Sequence, residues 1–284
     1  LRTRPRSAGN FQHHCNQVYA ETHGIGLVMD VFVPLEGGNG RAIVDVISGA
    51  WHADRARLNE HLGLGAIDAF CAAGFTVFAV APGSANLFSA TQMVTHVQAA
   101  IRHIRSTASA WNVDTENLGL SGVSAGGHIA ALTALQPDAG DAKARLPWYQ
   151  QGTDVAAVGL FFPPSDFLDY GGARFDFHRQ SELPINRLLF AEGLATQSEE
   201  TIEQATRAIS PRHCITTGHP PFWIAHATED AIVPFSQSEG FVAALEAAGV
   251  EAMLHRHDGP GHPWPEIAQE CTLLAHWFRE ELVL

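Results

Sequence analysis

The sequence predicts an α/β fold: a mostly parallel sheet of about eight strands with helices on both faces and a small cap excursion. Three observations point there. Strand-like apolar runs alternate with helical patterns along most of the chain. The runs at 42–47 and 75–80 are almost continuously apolar, as parallel strands buried on both faces should be. The stretch Gly122-Val123-Ser124-Ala125-Gly126 reads G-x-S-x-G, directly after an apolar run and directly before the small-residue helical pattern at 128–135. That order is strand, tight turn, helix, and it holds a serine hydroxyl on a strained elbow at the top of a parallel sheet. A side chain at Gly122 or Gly126 would collide across so sharp a turn.

Each element follows from local pattern. Residues 28–33 alternate like a strand with one exposed face and stop at Pro34, and Gly37-Gly38-Asn39-Gly40 turns the chain. A helix is expected over 58–73, closed by Gly74, and another over 90–108. The elbow strand begins after Asp114. Residues 155–162 form the next strand, stopped by Pro163-Pro164, and 222–226 another. A helix over 236–248 ends at Gly249, a last strand covers 251–257, and a closing helix runs over 266–282. Residues 169–210 break the alternation and carry Phe175 and Phe177, then two short helical patterns. Long excursions in compact domains tend to be functional, so this one is expected to cap the site and to place both phenylalanines against substrate. Residues 1–16 are expected to be a flexible tail that includes His13 and His14, and residues 17–284 a single domain.

Composition narrows the function. The chain has 284 residues, 46% of them hydrophobic, which is enough for a sizeable core. Net charge is −13 with no dense basic cluster, which disfavours nucleic-acid binding. No run of about 18 apolar residues is present to span a membrane. The basic residues near the start are followed by no apolar core of a signal peptide. Cys15, Cys71, Cys214 and Cys271 are scattered without a C-x-x-C pair, so neither a disulfide framework nor a zinc knuckle is expected. Compartment and oligomeric state are not specified.

A serine hydroxyl is a poor nucleophile until a base lies within hydrogen-bond reach and an acid orients that base. On this fold the chain order is serine, acid, histidine. Asp230 follows the strand at 222–226, and His262 follows the last strand in Gly259-Pro260-Gly261-His262-Pro263-Trp264. Asp166, just after an earlier strand, is a rival acid, and Glu229 a weaker one. His255 and His257 share one face of the last strand, with no carboxylate or cysteine partner to make a metal site, and are expected to be packed. For the oxyanion that acyl transfer creates, one donor is expected at the N–H of Ala125 and a second at Gly49 or Ala50 in the loop Ile47-Ser48-Gly49-Ala50-Trp51. Trp51 either packs beneath that loop or lines the acyl pocket.

These residues resemble the α/β-hydrolase superfamily, in particular its esterase and lipase-like branch with bacterial feruloyl esterases and the catalytic domains of prolyl-oligopeptidase-type peptidases. The likeness runs from about Val18 and rests on 29–34, on 117–127, and on the Asp230 and His262 loops. It implies a serine carboxylic-ester hydrolase acting on small-molecule esters, short-chain or carbohydrate-linked, with no metal and no organic cofactor. Amide hydrolysis with the same triad, or a non-catalytic binding role on a hydrolase scaffold, are the alternatives. One departure stands out. Where the family usually has H-G-G-G-W, this chain has Ile47-Ser48-Gly49-Ala50-Trp51, and the Ala50 methyl disfavours bulky acyl groups and tertiary-alcohol esters.

Overall fold

A computed structural model describes residues 6–178, 184–185 and 187–283. Its centre is a nine-stranded sheet: β1 (Arg6–Ala8), β2 (Phe11–Thr22), β3 (Ile25–Pro34), β4 (Ala42–Val46), β5 (Thr76–Val80), β6 (Gly119–Val123), β7 (Ala157–Phe161), β8 (Phe222–Glu229) and β9 (Ala252–Pro260), in the order β1-β2-β3-β5-β4-β6-β7-β8-β9. From β5 through β4 to β9 every pairing is parallel, and β1, β2 and β3 add an antiparallel edge. All residues of β4, β5, β6 and β7 are buried, which explains their largely apolar composition, with Asp45, Thr76 and Ser121 the polar exceptions.

Helices cover both faces. One face packs against α3 (Ala90–Trp111), α4 (Ala125–Leu135) and α6 (Ser236–Ala247), the other against α1 (Arg55–Leu64), α2 (Ala66–Ala72) and α7 (Ile267–Glu281). Ser89 and Gln92 form a capping box that starts α3. The single helix expected over 58–73 is two helices, because Gly65 takes φ 83° and closes α1 before α2 begins. Within 169–210, one helix is described, α5 (Glu199–Ala208), with Ser198 as its N-cap, where two short ones were expected. Residues 179–183 and 186 of the expected cap lie outside the described residues.

The expected N-terminal tail is a correction. Residues 11–16 belong to β2, a twelve-residue strand paired along β3, and β1 adds the sheet edge. The stretch is too polar to alternate visibly. Its order comes from contacts with β3: Phe11 meets Phe32 edge-on at 5.0 Å, and His13 stacks on Phe32 at 4.2 Å. His13 also lies 2.6 Å from a carboxylate oxygen of Asp30.

Candidate active site

The elbow forms because two glycines let backbone approach backbone. A Cβ on Gly122 would lie 2.5 Å from the Gly126 carbonyl oxygen, and one on Gly126 would collide with the Val46 carbonyl oxygen. Ser124 sits between β6 and α4 with φ 54° and ψ −121°, a conformation that L residues rarely adopt. Its N–H is tied to the Phe161 carbonyl at 2.9 Å.

Two loops at neighbouring strand ends supply its partners. Ser124 Oγ and His262 Nε2 are 2.9 Å apart, and His262 Nδ1 and Asp230 Oδ2 are 2.6 Å apart. The other carboxylate oxygen of Asp230 accepts the N–H groups of Ile232 at 2.8 Å and Val233 at 3.0 Å. Burial alone would raise the Asp230 pKa, but hydrogen bonds from His226, His262 and Val233 outweigh it and hold the carboxyl well below the usual range. The rival Asp166 is engaged elsewhere, with His213 at 3.1 Å, and Glu229 is exposed.

His226 escaped the sequence reading. It is fully buried in β8, with Nδ1 2.7 Å from Ser238 Oγ and Nε2 3.2 Å from Asp230. An isolated histidine in an apolar strand carries no signal of such a role. Phe162, whose ring lies 4.3 Å from that of His262, was equally silent, although its φ of 38° marks a special position after β7.

The loop after β4 turns through Ala50 and Trp51, both at positive φ (48° and 59°). The Gly49 N–H donates to the His52 carbonyl at 2.9 Å, which corrects its expected place as a free oxyanion donor. The Ala50 N–H donates to no backbone carbonyl among the described residues, and Ala125 is the first residue of α4, where the N–H has no intrahelical acceptor. Trp51 is 6% exposed and borders the cavity. Its indole N–H donates to His128 Nδ1 at 3.0 Å, while His128 Nε2–H donates to the Ile209 carbonyl at 2.7 Å. Burial pushes the His128 imidazole down to about 4, so the ring is neutral at neutral pH and its two bonds fix the tautomer.

Ser124, Ala125, His262, Ala50 and Trp51 all border one cavity of about 680 Å³. Tyr170, Phe175 and Ile185 form part of its wall, so the excursion after β7 contributes to the site. Phe177 does not. It is buried behind Phe175, with ring centres 5.0 Å apart, which corrects its expected place against substrate. From the opposite side α1 contributes Arg57, Glu60, His61 and Leu64.

Outside this cavity His255 stacks on Trp223 at 4.4 Å and His257 on Trp264 at 4.9 Å. His13, Cys15 and Asp30 bring potential metal-ligating atoms within 4.8 Å of one another. The Arg55 guanidinium already bridges both Asp30 oxygens, at 2.6 and 3.0 Å, so the cluster is satisfied as an ion-pair network. Burial opposes ionisation of Asp30, but His13 and Arg55 prevail and bring its pKa to about 2. No helix among the described residues is long and apolar enough to cross a membrane.

The model of the BD-FAE family matches residues 29–245. The chain belongs to the BD-FAE family. Among curated proteins it is similar to "Esterase LipC" of Mycobacterium tuberculosis, with 27% identity over 72% of this chain and 48% of that protein. It therefore spans about half the length of that relative. Among solved structures it is similar to a truncated carbohydrate esterase from gut microbiota, with TM-score 0.82, 22% identity, and 98% and 99% of the two chains covered. It is also similar to the butyrate-bound Est2 esterase of Thermogutta terrifontis, with TM-score 0.69, 24% identity, and 94% and 93% covered. Those two likenesses establish the α/β-hydrolase fold that the elbow implied.

Proposed function

We propose that this chain is a serine carboxylic-ester hydrolase that works through an acyl-enzyme, on short-chain or carbohydrate-linked esters. The observation that carries the reading is the relay from Ser124 Oγ to His262 Nε2 at 2.9 Å and from His262 Nδ1 to Asp230 at 2.6 Å. Ser124 Oγ attacks the ester carbonyl as its proton passes to His262 Nε2, and the carbonyl oxygen takes the negative charge. The N–H groups of Ala125 and Ala50 receive that charge. As the tetrahedral centre collapses, the bond to the alcohol oxygen breaks and His262 returns the proton to it. Water then gives a proton to His262, attacks the acyl carbon and releases the acid, and the proton returns to Ser124. Asp230 keeps the proton of the neutral imidazole on Nδ1 and stabilises the imidazolium in between.

Residues 169–210 act as a cap over this chemistry, a reading supported by Tyr170, Phe175 and Ile185 in the cavity wall. Membership of the BD-FAE family and the esterase names of the relatives support the reaction class. In the test, Ser124→Ala is expected to abolish turnover of short-chain esters with the far-ultraviolet dichroism unchanged, and a fluorophosphonate to label the parent chain at Ser124. Retained turnover, or labelling at another residue, refutes the assignment.

A further inference from the structure

We infer that His226 and Ser238 position the triad from behind: His226 holds the Asp230 oxygen that faces His262, and Ser238 holds the His226 ring in the tautomer that does so. This rests on the hydrolase reading above and deepens it.

The two oxygens of Asp230 are held differently. Oδ1 accepts two backbone N–H groups, from Ile232 and Val233. Oδ2 lies between two imidazoles, 2.6 Å from His262 Nδ1 and 3.2 Å from His226 Nε2. A carboxylate fixed at one oxygen still swings at the other, and a second donor on Oδ2 restricts that swing. Burial alone would raise the Asp230 pKa, and of the bonds that lower it again the one from His226 is the largest.

The tautomer of His226 follows from its surroundings. Nε2 faces Asp230 Oδ2 and, at 2.9 Å, the Val233 carbonyl oxygen. Both are acceptors, so Nε2 carries a proton and shares it between them. That one proton ties the carboxylate and the loop behind it to β8. On the other edge of the ring, Nδ1 lies 2.7 Å from Oγ of Ser238, in the first turn of α6. Ser238 is completely buried, and among the described residues Nδ1 is the only partner of its hydroxyl. A hydroxyl that accepted there would leave its own proton buried and unpaired, so Ser238 donates and Nδ1 accepts.

Donation therefore runs toward Asp230 from both ends, from Ser124 through His262 and from Ser238 through His226. The second arm is closed off. His226 is fully buried, with the rings of Phe235 at 5.5 Å and Phe162 at 6.2 Å. Asp230 is its ion-pair partner, whereas Arg256, opposite His226 in β9, binds Asp258 at 2.8 Å. Neither His226 nor Ser238 borders the cavity, so neither touches substrate. Their effect must fall on kcat, through the direction of Asp230, and not on KM.

The test compares His226→Asn, His226→Gln and Ser238→Ala in hydrolysis of 4-nitrophenyl acetate. A glutamine side chain brings its NH2 to the place of Nε2, whereas that of asparagine is one methylene shorter and ends at the place of Nδ1. Expected is a fall in kcat of ~10-fold or more in His226→Asn with KM within about twofold, and kcat within about threefold of the parent in His226→Gln. Ser238→Ala should lower kcat by about threefold in the parent chain and cost nothing further in His226→Gln, where no tautomer needs fixing. Equal losses in His226→Asn and His226→Gln overturn the positioning role, since the donor to Asp230 would then not matter. A loss carried by KM overturns it too. A Ser238→Ala effect that is the same in both backgrounds, or absent from both, overturns the link through His226, and this comparison decides if His226→Asn does not fold. All of these leave the hydrolase reading standing as long as the parent turns over ester and a fluorophosphonate labels Ser124. Absence of both turnover and labelling in the parent chain overturns that reading, and the positioning role with it.

Discussion

Asp230→Asn isolates what the carboxylate contributes, because the two side chains have the same shape. In the native arrangement one oxygen of Asp230 accepts from the Ile232 and Val233 N–H groups at 2.8 and 3.0 Å, and the other faces His262 Nδ1 at 2.6 Å. In the variant the amide oxygen must remain on the two backbone donors, since an NH2 there would oppose them. That places the NH2 against His262 Nδ1, which must then act as acceptor and surrender its proton to Nε2. A protonated Nε2 facing Ser124 Oγ cannot take the serine proton. Loss of the correct tautomer in such triads costs about 10⁴ in kcat, or about 5.5 kcal/mol of barrier. Steady-state turnover of a short-chain 4-nitrophenyl ester at pH 7 reads the effect, with Asp166→Asn as the control expected to retain activity within threefold or so. If Asp230→Asn stays within tenfold of the parent while Asp166→Asn collapses, the acid has been assigned to the wrong strand end.

Three further outcomes are expected. Gly122→Ala places a methyl carbon 2.5 Å from the Gly126 carbonyl oxygen and 2.7 Å from the Gly127 nitrogen, so Tm should fall by roughly 2–10 °C, and an unchanged Tm would contradict the packing at the elbow. His128 has a pKa lowered from 6.5 to about 4 by burial, so between those values the unfolded chain binds a proton that the fold does not. Its contribution is intact above about pH 6.5 and is lost as pH falls toward 4, by roughly 3 kcal/mol, a slope in denaturant-derived stability that His128→Gln should flatten. Ala50→Gly removes the methyl at the cavity mouth and should raise kcat/KM for a pivalate relative to an acetate, whereas an unchanged ratio would mean that this methyl does not limit the acyl group.

The elbow was legible because its geometry demands residues that nothing else demands: Gly122 and Gly126 meet backbone atoms where a side chain has no room. The buried parallel strands were legible for a related reason, since a strand covered on both faces strongly favours apolar residues and polar ones such as Asp45 are few. The edge was not. β2 is written in glutamine, histidine and asparagine, and it is held by pairing with β3 and by single contacts such as His13 with Asp30. The break at Gly65 was hidden because a glycine inside a helical pattern is usually tolerated, as Gly63 is within α1. Asp45 and His61 lie sixteen positions apart on a strand and a helix, and their 2.7 Å contact exists only once α1 packs on the sheet. Gly49 illustrates the opposite error. Its residue type suits an oxyanion loop, but whether its N–H is free depends on the bridge to His52, which no local pattern announces.

The altered loop after β4 explains how the chain manages without the family's run of glycines. Ala50 and Trp51 occupy the left-handed region in succession, at roughly 1–2 kcal/mol each for residues with a Cβ. Such a conformation persists only where surroundings over-determine it. Here they do so from several elements. Gly49 and His52 exchange two hydrogen bonds at 2.9 Å, the Trp51 carbonyl accepts from Ala85 at 2.8 Å, and the Ser48 carbonyl accepts from Gly126 at 3.1 Å. The Trp51 indole is held by His128 in α4, the same helix whose first residue offers the Ala125 N–H. The two proposed oxyanion donors are thus fastened to one another through buried groups. A glycine loop would reach the same shape without strain, but it would need the same ties to stay there. Rigidity in this loop comes from its hydrogen bonds, and of the residues that vary from the family pattern Ser48 and Ala50 border the cavity while Ile47 packs in the core.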